Sequence, residues 1–404
     1  MRLGHALAAT VLAAVALVAT GCGDDGGPVA GPVEVSQQLA VPPDAKAVEL
    51  RAKTASLLEE TVFFVVHATR TGARAGFDSE LYKAATEELD HTTEELVDTI
   101  SPLFDEAGVE GFSGEYSKLL ELARGYGREQ LEPEFSATPF RREIDERIKA
   151  LNTALADSSR HMDAEALDEH LALTVEEMLL ALDRLGLDSR GQLTHTTAAA
   201  HRSRGLAGVV AVAIARESGE LRDAVVSEPA RLYADLRTLL EEDVHLSFAA
   251  VQVGLSEEFD SLFLTASREV DQSATLFADR LATIPQLPGD RRPVRDALRR
   301  HWQLLALYAR EAAGEVPELT KPEIEAKLKA ATELIAALLA ERTAIARETV
   351  LEPLEKADKA LLEAIEALAD GSPEAYPKLA EALDHTADAA DVLTDGVLRA
   401  QAGG

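Results

Sequence analysis

The sequence predicts an all-α protein, in detail two tandem, internally duplicated helical-bundle modules following a signal peptide and a flexible tether. Three observations lead there. From Asp44 onward long stretches carry apolar residues three and four positions apart, the spacing of one helix face. No segment sustains the two-residue alternation, rich in Val, Ile and Thr, that marks strands. Pro102, Pro139, Pro229, Pro285, Pro293, Pro317, Pro322 and Pro373 fall at or near the ends of the periodic runs, where a missing N–H costs a helix least.

The chain opens with Met1-Arg2 and the unbroken aliphatic run "ALAATVLAAVALVA", the layout of an export signal. The run is shorter than the ~20 apolar residues needed to span a bilayer, so residues 1–21 read as a cleaved leader. Cys22 follows, the only cysteine among 404 residues. No disulfide and no cysteine metal cluster is therefore open to one chain. Ala19-Thr20-Gly21-Cys22 resembles the lipobox of bacterial lipoproteins, with Ala19 where that pattern more often has leucine. The resemblance implies that Cys22 becomes the mature N-terminus and carries a diacylglyceryl thioether, commonly with an amide-linked chain as well. Two or more acyl chains make a durable anchor, at about 0.8 kcal/mol per buried methylene, where one holds only marginally. The expected location is extracytoplasmic, lipid-anchored to the cell membrane.

Residues 22–43, Gly- and Pro-rich without apolar periodicity, read as the tether. The formal charge is −31, and removing the leader takes away one further positive charge, Arg2. So acidic a chain repels phosphate backbones, which excludes nucleic acid as a partner.

The helices come next. In "LYKAATEELDHTTEELVDTI" the set Leu81, Ala85, Leu89, Leu96 and Ile100 lies along one face, while Glu87, Glu88, Glu94, Glu95 and Asp98 point elsewhere. "LLEETVFFVVHATRTGARAGFDS" from Leu57 and "LLEEDVHLSFAAVQVGLSEEFDS" from Leu239 share Leu-Leu-Glu-Glu, a valine, a glycine and Phe-Asp-Ser in register. An internal repeat of this kind is read before any fold. It predicts one module over residues 44–217 and a second over 226–400, each with six helical segments and enough chain to bury its own core. Turns are expected at "TGARAG", "DEAGVEG", "LEPEFSATP" and "LGLDSRG" in the first, and at "VGLSEE", "IPQLPGDRRP", "GEVPELTKP" and "ADGSP" in the second. Ser372 is the expected N-cap of the last helix, with Pro373 in its first position.

This arrangement resembles exported bacterial proteins of uncharacterised function with tandem helical modules, some of which carry labels that mention copper. Their first helix reads Leu-x-Glu-His-Val and their third Trp-x-x-His-Ile. Here Thr61 and Asp243 stand at the first histidine, Leu119 and Leu305 at the second, with Trp302 kept and Tyr116 opposite it. The resemblance implies an architecture and carries no chemistry.

No HExxH, GxSxG, GxGxxG or P-loop pattern occurs, so no catalytic residue is assigned and an enzyme is the weaker reading. Helical bundles can build metal sites from Glu and Glu-x-x-His, a spacing found at Glu88–His91 and Glu242–His245. The helical wheel speaks against both: His91 falls opposite the stripe of Leu89, Leu96 and Ile100. His67 also lies opposite its main stripe and is expected half-buried, because "TVFFVV" is apolar nearly all round. His195 is expected as a core histidine with one hydrogen bond. His161-Met162, and His170 with Asp168, complete the set of side chains suited to a soft or borderline metal. No cofactor is expected and no metal site is assigned, and His91, His170, His195 and His201 stand as the candidate ligands should copper, zinc or iron bind. Arg292, Arg295 and Arg299 share one helix face in "GDRRPVRDALRRHWQLL" and form a candidate docking patch for an anion or acidic partner. The alternative is a face of ordinary ion pairs with neighbouring carboxylates. The expected role is a non-catalytic binding or scaffold component of the cell envelope, whose partner is another envelope protein or a small ligand. A metal-binding envelope lipoprotein is the alternative.

Overall fold

The computed structural model describes residues 45–402 apart from 186–188, 220, 222–223, 255–258, 285–289, 315–318 and 344. The expected leader, the tether and Cys22 lie outside the described residues. The described chain is all-helical, with no strand. Its helices are α1 (Ala45–Ala75), α2 (Glu80–Ile100), α3 (Glu106–Glu129), α4 (Ala137–Ser158), α5 (Ala164–Asp183), α6 (Ser189–Ser218), α7 (Glu228–Gly254), α8 (Phe259–Ala282), α9 (Arg292–Ala312), α10 (Lys321–Thr343), α11 (Arg347–Ala369) and α12 (Ala375–Ala402).

Short polar side chains start several of them. Ser79 Oγ accepts from the Tyr82 amide at 3.1 Å ahead of α2, Asp105 Oδ1 from Gly108 at 2.8 Å ahead of α3, and Asp163 Oδ1 from Ala166 at 3.1 Å ahead of α5. Each satisfies an amide that the first helical turn leaves without a partner. Gly76 (φ 99°) follows α1 and Gly371 (φ 69°) follows α11, left-handed conformations that a side chain would strain. "DEAGVEG" differs from expectation. Asp105 caps a helix that runs straight through Gly108 and Gly111, because two glycines cost less than the burial of Phe112, Tyr116 and Leu119 on the same helix returns. The last helix begins at Ala375, and Ser372 Oγ accepts from Glu374 at 3.3 Å.

The face assigned to α2 is the buried one: Leu81, Ala85, Leu89, Leu96 and Ile100 are all buried, with Glu87, Glu94 and Asp98 exposed. Around it the helices take up a regular set of neighbours. α1 packs on α2, α3, α6 and α7, and α7 packs on α8, α9, α12 and α1, while α6 touches α8 and α2 touches α12. Residues Val41–Gly404 make one compact unit, with a continuous apolar core joining Leu89, Leu119 and Leu179 to Phe248, Leu305 and Leu361. The first six helices and the last six therefore share a core. The reason is α1 itself: Thr61 to Thr69 are buried without a break, and a helix apolar on all sides must be covered on all sides.

Close approach of α3 to α1 and α5 is set by Gly127, where a Cβ would come within 2.5 Å of Thr69 Cγ2 and 3.1 Å of Leu182 Cδ2. Gly127→Val should lower the unfolding free energy by about 1–3 kcal/mol through overpacking, measured by urea titration. Gly111→Ala in the same helix, with nothing within 4 Å, should be neutral or raise it by up to about 1 kcal/mol.

Candidate functional site

The contact between α1 and α7 carries charge through the middle of the protein. Leu-Leu-Glu-Glu places Glu59 and Glu60 on α1 and Glu241 and Glu242 on α7. Arg204 of α6 grips Glu59 side-on, Nε to Oε2 at 2.7 Å and Nη2 to Oε1 at 3.1 Å, and reaches Glu242 Oε2 at 2.5 Å. His201 Nε2 lies 2.9 Å from the same Glu242 oxygen. Burial pushes the Glu59 carboxyl up to about 7, against the pull of Arg204. Burial also acts to raise Glu242, but the hydrogen bonds and charges of His201 and Arg204 prevail and hold it below the usual range. One turn earlier on α7, Arg237 Nε meets Glu241 Oε1 at 2.9 Å. Ser56 Oγ lies 2.7 Å from Glu241 Oε2 and 3.0 Å from Glu60 Oε1. Burial and the neighbouring Glu241 charge raise Glu60 well above the ordinary range, and burial raises Glu241 too, against the pull of Arg237 and Ser56.

Further along the seam lies an aromatic cluster. Phe63 of α1 stacks on His245 of α7 with centroids 4.4 Å apart and planes 7° from parallel. His67 lies 5.5 Å from His245, and Phe64 and Phe248 meet the two imidazoles edgewise. His67 Nδ1 is 3.0 Å from Gln252 Oε1, and Gln252 Nε2 donates to Thr71 Oγ1 at 3.1 Å and to Tyr376 Oη at 2.8 Å. Arg70 donates to Gln192 Oε1 and to the Ala249 carbonyl. Burial, with Arg70 nearby, presses His67 down to about 3, and burial presses His245 well below its ordinary value. Both rings are neutral across the physiological range.

A third polar cluster joins α7 to α9, α10 and α11. His301 Nε2 meets Asp358 Oδ1 at 2.7 Å, and the Thr332 hydroxyl donates to Asp358 Oδ2. Behind them Asp243 Oδ1 is buried without a protein partner, and burial drives the Asp243 carboxyl up to about 7 although His301 pulls it down.

Two surface grooves reach this interior. The larger, about 740 Å³, lies between α1, α11 and α12 and is bordered by Glu49, Glu348, Glu352, Asp388, Asp391 and Asp395. Its basic side chains are Arg237 and Lys356, its apolar ones include Val48, Pro353 and Leu398, and Arg237 ties it to the buried Glu241. The second, about 500 Å³, runs over α10 and α11 beside α9 and has Asp358 in its lining.

The residues singled out in the sequence are scattered. His91 is exposed and 3.3 Å from Glu95. His170 is half-buried, its Nδ1 without a partner. His195 Nδ1 meets Glu177 at 2.8 Å, and His201 serves Glu242. Among the described residues no group of three or more His, Cys, Asp or Glu is placed to hold a metal ion. Arg292 pairs with Asp290, Arg295 with Asp296 and Arg299 with Asp271, as Arg291 does with Asp279. His67 is 1% and His245 0% exposed, so the half-burial expected for His67 is corrected, and Glu242 turns to His201 and Arg204 instead of joining His245. Arg204, Asp243 and His301 escaped sequence reasoning. The available signal was a pair of glutamates inside a run with no polar side.

Compared with family models, with curated proteins and with solved structures, the chain matches none. Among the described residues no helix is long and apolar enough to cross a membrane.

Burial sets the Asp243 carboxyl to about 7 in the fold, against 3.8 for an exposed aspartate. The stability it contributes is complete below about pH 4 and is lost as pH rises through 7. Asp243→Asn removes the ionisation, so its stability relative to the unsubstituted chain should improve between pH 4 and 8 by about 4 kcal/mol and then level off. Chemical denaturation across that range checks it.

Proposed function

We propose that the chain is a non-catalytic binding component of the cell envelope, exported and held to the membrane by lipid at Cys22. Its binding surface is the acidic groove between α1, α11 and α12, and its partner is cationic, either a basic segment of another envelope protein or a small organic cation. The groove carries this reading: six carboxylates face two basic side chains around an apolar floor, a combination that attracts positive charge and gives a methylene-rich ligand something to cover.

We also propose that the twelve helices arose by duplication. Two observations support this. Phe63 and His245, equivalent in the register of the repeat, stack on each other, as residues on a two-fold axis do. The His67–Gln252 hydrogen bond likewise exchanges, in that register, with the Ala249–Arg70 bond.

Titration calorimetry with spermine and an oligolysine peptide should show salt-sensitive binding. Asp388→Lys with Asp391→Lys should weaken it at least tenfold; undiminished binding by that variant would sink the groove as the site. For the anchor, mass spectrometry of the protein from bacterial membranes should find a chain beginning at Cys22 with acyl mass attached. An intact leader would refute the lipid anchor.

A further inference from the structure

We propose that His67 and His245 form a two-imidazole site for a soft monovalent d10 cation, of the Cu(I) or Ag(I) class, enclosed between α1 and α7. The inference is independent of the groove and starts from unpaired atoms. His67 Nε2 and both ring nitrogens of His245 are buried with no hydrogen-bond partner in the protein. A buried polar atom left unsatisfied keeps the full cost of its lost hydration, and such groups call for a structural or functional cause.

The hydrogen bonds fix the state of one ring. Gln252 uses its amide nitrogen to donate to Thr71 and Tyr376, so its oxygen faces His67 as an acceptor. His67 Nδ1 must therefore carry the proton, and Nε2 holds a free lone pair. This is the arrangement of a ligating histidine, whose other nitrogen donates to an oriented oxygen. His245 keeps either nitrogen available.

Geometry agrees. An ion bonded about 2.0 Å from one nitrogen of each of two imidazoles sets their centroids roughly 6 Å apart when the two bonds are in line and roughly 5 Å apart when they are bent to a tetrahedral angle; these lie 5.5 Å apart with planes 29° from parallel, the separation of a bent pair. Phe63, Phe64 and Phe248 surround the pair, adding polarisable faces that attract a cation.

The ligand set selects the ion. Two neutral nitrogens without a carboxylate cannot offset a divalent charge in a buried site, where the cost of desolvation grows with the square of charge. The nearby Arg70 guanidinium adds to that penalty. A cation of single charge and low coordination number pays least and prefers such donors. Both rings are fully covered, so loading requires the helices to part transiently and takes place slowly.

The test uses the full chain with Cys22→Ser, so that the thiol does not compete. After hours of anaerobic incubation with Ag(I), or with Cu(I) supplied as its acetonitrile complex, and then desalting, one equivalent should remain bound and the melting temperature should rise. Zn(II) should wash out. His245→Phe, which installs the residue at the equivalent position of the other copy, and His67→Gln should each retain less than a fifth of an equivalent. Failure to retain the ion, or equal retention by both folded variants, overturns the site. Should a variant not fold, ring 15N spectra of the parent decide: Ag(I) must shift the signals of two histidines, and unchanged signals overturn it.

Discussion

Charge in the α1–α7 contact constrains everything around it. Four carboxylates occupy successive positions on two helices that have almost no solvent-facing side, and two guanidinium groups are available to answer them. Removing an ion from water costs several kcal/mol even after relaxation, so each carboxylate must find a cation, a proton or a hydroxyl. Arg204 and His201 come from α6, and Arg237 with Ser56 closes the other end. Sliding α1 by one turn would strand Glu59 away from Arg204 and part Ser56 from Glu241. An apolar contact tolerates such a slip, while this one does not. What the buried charges contribute is register, and apolar packing supplies the stability.

That distinction explains what was readable in the chain. Helices at the periphery announce themselves: α2 has a wet side and a dry side, and its buried set follows from spacing alone. α1 and α7 do not, because a wheel argument takes the side opposite the apolar stripe to be wet. For His67 that side is occupied by another helix, and so burial is complete. The same blind spot hid Arg204, a residue that looks like surface charge on a helix of weak periodicity, yet its partners lie 145 and 38 residues away in sequence. Local pattern holds no record of such pairings. The glycines of "DEAGVEG" misled in the other direction, since a turn residue by propensity becomes a helix residue when the helix buries enough.

The candidate sites were legible to a smaller degree. The repeated Leu-Leu-Glu-Glu drew attention to the seam, but which glutamate would be ionised depended on neighbours that only the fold supplies. The Glu59 carboxyl is driven up and the Glu242 carboxyl held down because Glu242 has His201 bonded to it as well as Arg204. His91, noticed for its spacing from Glu88, and His195, noticed for its place on an apolar stripe, turn out to have ordinary carboxylate partners. Histidines without partners sit where a wheel would not look for them.

Under the proposed duplication, divergence between the two halves follows from where the shared surface lies. Phe63 meets His245, its counterpart in the proposed register, so a substitution there changes a pair and not two separate sites. Thr61 bonds back to the Leu57 carbonyl, whereas Asp243, at the matching position of the proposed register, is a buried carboxyl pulled on by the charge of His301, and His301 in turn bonds to Asp358 in the lining of the second groove. Phe63 fills space, and His245 at the matching position brings nitrogens into contact with its ring. His67 stands opposite Ala249 in that proposed register and His245 opposite Phe63, so the paired rings draw one changed position from each half and leave the other half's residue to pack beside them.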